Sequence, residues 1–245
     1  MPAAESTPTL SLPCAPGSTV AGVFRERVAP CGIGPVRQLE AVVEKKLAAI
    51  AELERTSDDA FPDDFDRVVR GVASARPYRF QIVDATSPVE VRELLRGARE
   101  GRLSSVDLPV LADHLAGAPW EVRLDVASEL VHGAAPDRVA LIARWVWNPS
   151  RGTGVLSEFG LPGPTTYGGS QERLGQIRLE LGALGFPCAT FAGVDVVLAL
   201  TYAARLQQTA DLGLRSGGLE SLLPGAFPLA TMILGVRRRV VDADR

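Results

Sequence analysis

The stretch PVRQLEAVVEKKLAAIAELERT, residues 35–56, decides the class of fold. Its apolar residues recur three and four positions apart, which places them on one stripe of an α-helix with charged residues around the other faces. Packing on the chain's own core is the common outcome for such a stripe, and binding of another protein or of a second copy is the alternative. The stripe consists of Val36, Leu39, Val43, Leu47, Ile50 and Leu53.

Helix signals recur along the rest of the chain. Ser87, Pro88 and Glu90 form a capping box with proline at the first helical position, which is a strong helix start. Residues 191–210 are apolar nearly all round, which predicts the central buried helix. With about nine helices and no repeat, the chain is predicted to form an all-α, single multi-helix globular domain. Further starts are predicted at Asp107, Pro119, Pro136, Ser170, Thr190 and Pro228.

Two of the predicted elements rest on shorter patterns. A helix is predicted from Pro136 to Trp147, because proline favours the first turn and Pro149 stops the helix. Tyr78–Val83, with the sequence YRFQIV, alternates in the manner of a single strand. Since one strand cannot make a sheet, an extended linker is the alternative interpretation of this stretch.

The pattern divides the chain into four segments. Residues 1–34 are rich in proline at their start and lack the basic start of a signal peptide, so they are predicted to form a flexible N-terminal arm. The amphipathic helix 35–56 follows. Residues 57–87 are predicted as a linker with an acidic stretch and a short helix at about residues 65–73, and residues 88–245 as the helical core domain.

The acidic stretch Asp58–Asp66 resembles the aspartate-rich motifs with which helical prenyl transferases bind Mg²⁺ and diphosphate. Such motifs need several carboxylates on one helix face, whereas Pro62 interrupts a helix here and no second acidic motif follows. A solvated loop is therefore predicted. His114 and His132 are the two histidines and neither has the spacing of a metal-ligand pair, so no metal site is predicted.

Composition limits the possible partners and compartment. Of 245 residues 46% are hydrophobic and the formal net charge is −3, so no global charge favours nucleic acid or an anionic membrane. The three cysteines include no C-x-x-C pair, which predicts reduced thiols and a cytoplasmic location, with Cys188 as a small core residue. The longest uncharged run beyond the arm, Ser221–Val236, is broken by two prolines and too short for a bilayer span.

Motifs for cofactor binding and catalysis are incomplete. Gly32 with Gly34, and Gly152 with Gly154, begin like a dinucleotide fingerprint, but the third glycine is missing in both places and turns are predicted instead. The sequence contains neither a G-K-[ST] phosphate loop nor a G-x-S-x-G nucleophile elbow. No cofactor is therefore predicted, and whether the protein is an enzyme stays open.

The best candidate for a ligand site is the stretch where the helical pattern fails. Residues 148–169 hold six glycines and three prolines, and a loop of this length is often functional. Asp195, near the start of the most apolar helix, is either an acid that the helix N-terminus favours or a buried carboxylate facing a pocket. The predicted pocket residues are Asp195, Tyr167, Arg151, Trp147 and Asn148.

The C-terminal region suggests a nucleic-acid alternative. Leu223–Pro228 resembles the L-P-G-x-G-x hairpin of helix-hairpin-helix DNA-binding proteins, although Phe227 stands where the second glycine would let backbone N–H groups reach a phosphate. The basic triplet Arg237, Arg238 and Arg239 follows and would supply the contacts with phosphate groups.

The leading functional hypothesis is therefore a soluble helical interaction or accessory protein without an evident catalytic motif. Its docking surfaces would be helix 35–56 and the long loop, and its partner another protein or a second copy. The first alternative is an enzyme or small-molecule binder whose interhelical pocket is covered by loop 148–169. The second is a nucleic-acid-binding protein distantly similar to helix-hairpin-helix proteins.

Overall fold

The computed structural model describes residues 19–160, 163–214 and 225–236, and over these residues the predicted all-α fold is confirmed. The described ranges contain no β-strand, and none of their helices is both long and apolar enough to cross a membrane. The α-helices are α1 (Thr19–Val23), α2 (Ile33–Glu52), α3 (Phe61–Gly71), α4 (Arg79–Ala85), α5 (Pro88–Arg99), α6 (Leu108–Asp113), α7 (Trp120–Ala134), α8 (Tyr167–Ala183), α9 (Ala192–Leu214) and α10 (Ala226–Ile233).

Helix α2 carries the apolar stripe that decided the fold class. All the stripe residues are at most 3% exposed, and the helix packs against α7 and α9. Burial of a complete apolar stripe is the main source of stability for a surface helix. The stripe is therefore covered by the protein's own core. Binding of a partner through α2 stays a prediction, and such a partner would have to contact the other faces of the helix.

Helices α7 and α9 form the centre of the molecule. Helix α9 is buried all round over its first turns, as its apolar sequence predicted. Helix α7 is buried along nearly its whole length and packs against α2, α5 and α6. It also buries four polar residues, which are related by spacings of three and four positions and so share one face. These residues are Asp125, Ser128, Glu129 and His132, and we call them the polar face of α7.

The predicted helix over residues 136–147 is wrong. The core segment, residues 139–144, is not helical, and all of it except the half-buried Arg144 is buried. It needs no helix because side chains form hydrogen bonds with its backbone. The N–H of Ile142 donates to Ser128 Oγ at 2.8 Å, and the N–H of Arg144 donates to Asp125 Oδ1 at 2.9 Å. Buried backbone groups must be satisfied in some way, and here the polar face of α7 replaces the bonds of a helix.

Gln171 on α8 completes the hydrogen bonding of this segment. Its Oε1 accepts from the N–H of Ala140 at 2.8 Å and from Ser105 Oγ at 2.7 Å, and its Nε2 donates to the Arg138 carbonyl at 2.8 Å. The side-chain amide of Gln171 thus both donates and accepts hydrogen bonds. It links α8 to the 3₁₀ helix Ser105–Asp107 and to the core segment.

The predicted strand at residues 78–83 is also wrong, because Arg79–Ala85 forms α4. Within the alternating residues Ile82 is fully buried whereas Phe80 is 62% exposed, so the alternation does not gather apolar side chains on one face. A lone strand leaves its backbone groups unpaired, and a short helix satisfies them within the segment.

The N-terminal half contains more regular structure than predicted. Within the arm predicted over residues 1–34, helix α1, a π-helix (Phe24–Val28) and a 3₁₀ helix (Ala29–Cys31) are present, with Val20 and Val28 buried in the core; residues 1–18 lie outside the described ranges. The linker predicted over residues 57–87 contains α3 and α4, and α3 buries the stacked rings of Phe61 and Phe65.

Helix α5 begins where the sequence predicted, although the predicted capping bond is absent. It begins at Pro88, as the capping box predicted, but the Ser87 side chain makes no capping hydrogen bond. The acidic stretch differs from the predicted loop as well, since Asp63 and Asp64 lie in the first turn of α3, where the helix dipole favours carboxylates.

We expect Gln171→Ala to lower the free energy of unfolding by about 2 kcal/mol, because it leaves the Ala140 N–H, the Arg138 carbonyl and the Ser105 hydroxyl without their partner. Urea unfolding followed by circular dichroism measures the change. Gln176→Ala on the same helix is the matched control, since Gln176 bonds only to Arg173 on the surface. Equal stability of the two variants would contradict this role of Gln171.

Candidate functional site

The most deeply buried polar pair joins α7 to α9. His132 Nε2 lies 2.8 Å from Asp195 Oδ2, and His132 Nδ1 lies 2.6 Å from the Val139 carbonyl oxygen. Both side chains are at most 2% exposed. A carbonyl oxygen can only accept, so Nδ1 carries a proton and donates to it. The second contact then shares one further proton between imidazole and carboxyl group, and the pair as a whole is neutral.

The pKa of His132 is raised above its ordinary value. Burial alone would lower this pKa, but the negative charge of Asp195, the hydrogen bond to Asp195 and the bond to the Val139 carbonyl together outweigh burial. The surroundings of His132 therefore favour its protonated form more than water does. The pair ties the core segment, α7 and α9 together at one point.

The carboxylates of Asp125 and Glu129, further along the polar face of α7, are also paired. Asp125 Oδ2 accepts from Ser74 Oγ at 2.6 Å and from Arg144 Nε at 2.9 Å. Lys46 Nζ lies 2.9 Å from both oxygens of Glu129 and donates to the Leu234 carbonyl as well. Each buried carboxylate therefore has a cation beside it, as burial of charge requires.

Two clefts open beside this polar face. The inner cleft, about 390 Å³, and the outer cleft, about 750 Å³, have Arg144, Asn148 and Arg151 in common. The inner cleft is lined further by Val72, Ala73, Ser74, Asp125, Glu129, Ala143, Trp145, Thr153, Tyr202 and Ile233. The outer cleft is lined further by Val106, Trp120, Glu121, Leu124, Pro149, Ser150, Thr165, Thr166, Tyr167 and Gly168.

The first turn of loop 148–169 is built by Asn148. Its Oδ1 accepts from the N–H of Ser150 at 3.1 Å and from Ser150 Oγ at 2.7 Å, and its own N–H donates to the Thr153 carbonyl at 2.7 Å. Such side-chain-to-backbone bonds are typical of a turn that begins at asparagine. The turn holds Arg151 at the junction of the two clefts.

The loop is anchored from beneath by Trp147. This side chain is buried, and its Nε1 donates to the Pro164 carbonyl at 2.7 Å. Gly163 lies on the indole so closely that a Cβ atom there would be 2.2 Å from it. At Gly154, with φ of +143°, a Cβ would be 2.4 Å from the Val146 carbonyl oxygen. The two glycines let this loop pack against the residues that precede it.

The structure brings together three of the five predicted pocket residues. Asn148 and Arg151 line both clefts, and Tyr167 lines the outer one. Trp147 supports the loop instead of lining a cleft. Asp195 lies in the core beside His132 and lines neither cleft, because the bond to His132 holds its carboxylate between α7 and α9.

The clefts present hydrogen-bond donors. Within the described ranges, the Arg151 guanidinium, Asn148 Nδ2, Trp145 Nε1 and the Tyr202 hydroxyl have no protein partner, whereas the carboxylates of Asp125 and Glu129 are paired. Burial, and to a smaller extent the charge of Asp125, raises the pKa of Tyr167, so its hydroxyl stays protonated. Glu121, an exposed residue, adds a carboxylate to the lining of the outer cleft alone. The free groups of the inner cleft therefore suit a ligand that offers acceptors.

Sequence reasoning missed several residues of this site. Arg144 and Trp145 reach the inner cleft because the core segment is not helical and turns beside α7, whereas Tyr202 reaches it from α9. Asp125 and Glu129 were detectable, because together with His132 they recur at helical spacing within a helix that carries many apolar residues. That spacing signals a buried polar face, although it does not identify the partners.

Other candidate groups give no second site. Cys188 is a buried core residue, as predicted, and burial, with the nearby charge of Glu40, raises the pKa of its thiol to about 12. In the described part of the chain no three His, Cys, Asp or Glu side chains are grouped as metal ligands would be. Arg237–Arg239, predicted to contact nucleic acid, lie outside the described residues.

Comparison with known proteins gives no match: no family model, no curated protein and no solved structure is significantly similar to the chain.

The raised pKa of His132 predicts a pH-dependent stability. A raised pKa in the folded state stabilises the fold fully below the unfolded value of about 6.5 and loses this effect as the pH rises through the folded value. We expect the free energy of unfolding to fall over that range in the wild type and to change less in Asp195→Asn. At about pH 6 we expect Asp195→Asn to be less stable by about 2 kcal/mol, because an amide replaces the carboxylate bonded to His132.

Urea titrations at a series of pH values measure both effects. Asp84→Asn is the control, since Asp84 is exposed and the substitution removes the same charge. Parallel stability curves for the wild type and Asp195→Asn would show that the pair does not hold the proton.

Proposed function

We propose that this protein binds a small anionic molecule with a planar group in the inner and outer clefts. One observation carries the proposal: among the described residues, free hydrogen-bond donors line the clefts while the buried carboxylates there are paired. A cleft of this kind is complementary to a ligand rich in acceptors. This is the pocket-binding alternative of the sequence analysis, with a different set of residues.

In this proposal, Arg151 and Asn148 bind the anionic group of the ligand. These residues belong to both clefts, and the guanidinium has no carboxylate partner in the described ranges. Arginine binds carboxylate and phosphate through two parallel N–H donors, and such charge-assisted bonds are stronger than neutral ones. The turn that begins at Asn148 fixes the backbone on which Arg151 stands.

The planar group is placed against Trp145 and Tyr202. Their ring centroids are 6.0 Å apart, and both side chains are partly exposed in the inner cleft. Aromatic side chains provide large apolar contact together with a polar atom, here the indole N–H and the phenol hydroxyl. The volume of about 390 Å³ lies within the range of small-molecule sites.

The outer cleft provides the entrance. Its rim includes Val106, which is 62% exposed, and Trp120, which is 38% exposed. Tyr167 adds a protonated hydroxyl to the same wall. An apolar rim around a donor-lined interior favours a ligand with an apolar as well as an anionic end.

The hypothesis of an interaction or accessory protein stays a prediction. The feature that motivated it, the apolar stripe of α2, is buried in the protein's own core. Whether the protein binds another protein through a different surface is independent of what the clefts bind.

We expect phenyl phosphate and benzoate to bind to the wild type and benzylamine not to bind, because the Arg151 guanidinium, which the two clefts share, has no carboxylate partner among the described residues. Isothermal titration calorimetry measures the three affinities. Arg151→Gln should weaken binding of phenyl phosphate by at least about tenfold, since a hydrogen bond to a charged group is lost. Arg102→Gln is the control, since Arg102 is exposed and pairs only with the neighbouring Glu100. Equal binding by the two variants, or tighter binding of benzylamine, would contradict the proposal.

A further inference from the structure

A second surface of the molecule carries a concentration of arginines. Where α3, the 3₁₀ helix Ala73–Tyr78 and α4 meet α10, a cleft of about 860 Å³ is open to solvent. Among the described residues that line it there are four arginines and no carboxylate. We call it the arginine cleft, and its cations are Arg67, Arg70, Arg76 and Arg79.

The positive charge of this cleft is only partly compensated. Arg67 pairs with Asp64, and Arg70 pairs with Asp66. Arg79 Nε is 3.8 Å from the same Asp66, so two guanidinium groups share one carboxylate. Arg76 is exposed and donates to the Arg70 carbonyl, with no carboxylate partner in the described part of the chain. Excess charge of one sign in a cleft attracts ligands of the other sign.

An exposed aromatic ring lies beside Arg79, one of the residues that line the cleft. Phe80 follows Arg79 at the start of α4 and is 62% exposed, and the Arg79 guanidinium lies over its ring, 4.1 Å from the centroid. A phenylalanine in this position contributes little to the core. The face of the ring away from Arg79 offers a platform for stacking, as aromatic rings beside arginines do where single-stranded nucleic acid binds.

We infer that the arginine cleft binds single-stranded nucleic acid, with phosphate groups along the arginines and a base stacked on Phe80. A row of cations with an aromatic platform is the arrangement that binds single strands without reading their sequence. A double helix is read by an element inserted into a groove, whereas α10 forms a half-buried wall of the cleft. This inference does not depend on the proposed small-molecule site, which uses other residues.

The test is fluorescence anisotropy of the full-length protein with a labelled strand of about 20 thymidines, at about 50 and 200 mM salt. We expect binding that weakens strongly as salt rises, because bound phosphates release counterions. Arg76→Gln with Arg79→Gln should weaken binding by about tenfold or more at low salt and reduce the salt dependence. The control is Arg55→Gln with Arg102→Gln, which removes the same charge from exposed residues elsewhere.

Substitution of Phe80 tests base stacking separately from charge attraction. Phe80→Ala should weaken binding of the strand by about tenfold, whereas Leu179→Ala, at a residue 66% exposed on α8, should leave it unchanged.

Three outcomes would overturn the inference. One is the absence of binding at low salt, and another is equal loss of affinity in the two double-arginine variants. The third is preference for another polyanion, seen as tighter binding to a duplex of the same length, or as binding to phosphatidylserine vesicles without binding to the strand. Circular dichroism of each variant shows whether it is folded, so that loss of binding is not confused with loss of structure.

Discussion

The structure depends on the hydrogen bonds by which the polar face of α7 holds a buried segment that is not helical. Residues 139–144 enter the core with backbone donors and acceptors that no neighbouring strand pairs, since the described residues form no sheet. Along α7, the side chains of His132, Ser128 and Asp125 form hydrogen bonds with the backbone of residues 139, 142 and 144 in turn. Gln171 on α8 accepts from the backbone N–H of residue 140. A buried backbone group without a partner costs as much as several apolar contacts provide, so each of these side chains is difficult to replace.

The same constraint produces the candidate site. Because the core segment runs beside α7 and then turns, Arg144 and Trp145 emerge next to Asp125, and the Asn148 turn follows immediately. Lys46 forms hydrogen bonds with Glu129, which lines the inner cleft, and with the Leu234 carbonyl directly after α10. The clefts are therefore bounded by residues whose positions are fixed by burial and hydrogen bonding. A binding site is more precise when its supporting residues are held in this way.

The sequence predicted the helical class because helices α2, α5 and α9 each show their apolar pattern within a single segment. It failed at residues 136–147, where proline and apolar residues favour a helix locally and the decisive bonds come from Ser128 and Gln171, distant in sequence. For the site, loop composition identified Asn148, Arg151 and Tyr167, because glycine and proline show where helical structure stops. The same reasoning placed Asp195 in a pocket, since a single sequence does not reveal that His132 lies opposite it.

The close packing of Gly154 and Gly163 sets which parts of the long loop are free to diverge during evolution. Any side chain at Gly163 would displace the Trp147 indole, and any at Gly154 would meet the backbone of Val146. Ser150 and Arg151, in contrast, are exposed at the tip of the turn. Related proteins would therefore keep the two glycines and the tryptophan while the tip changes. If the clefts bind a ligand as proposed, its preference can then diversify on a scaffold whose folding is unaffected.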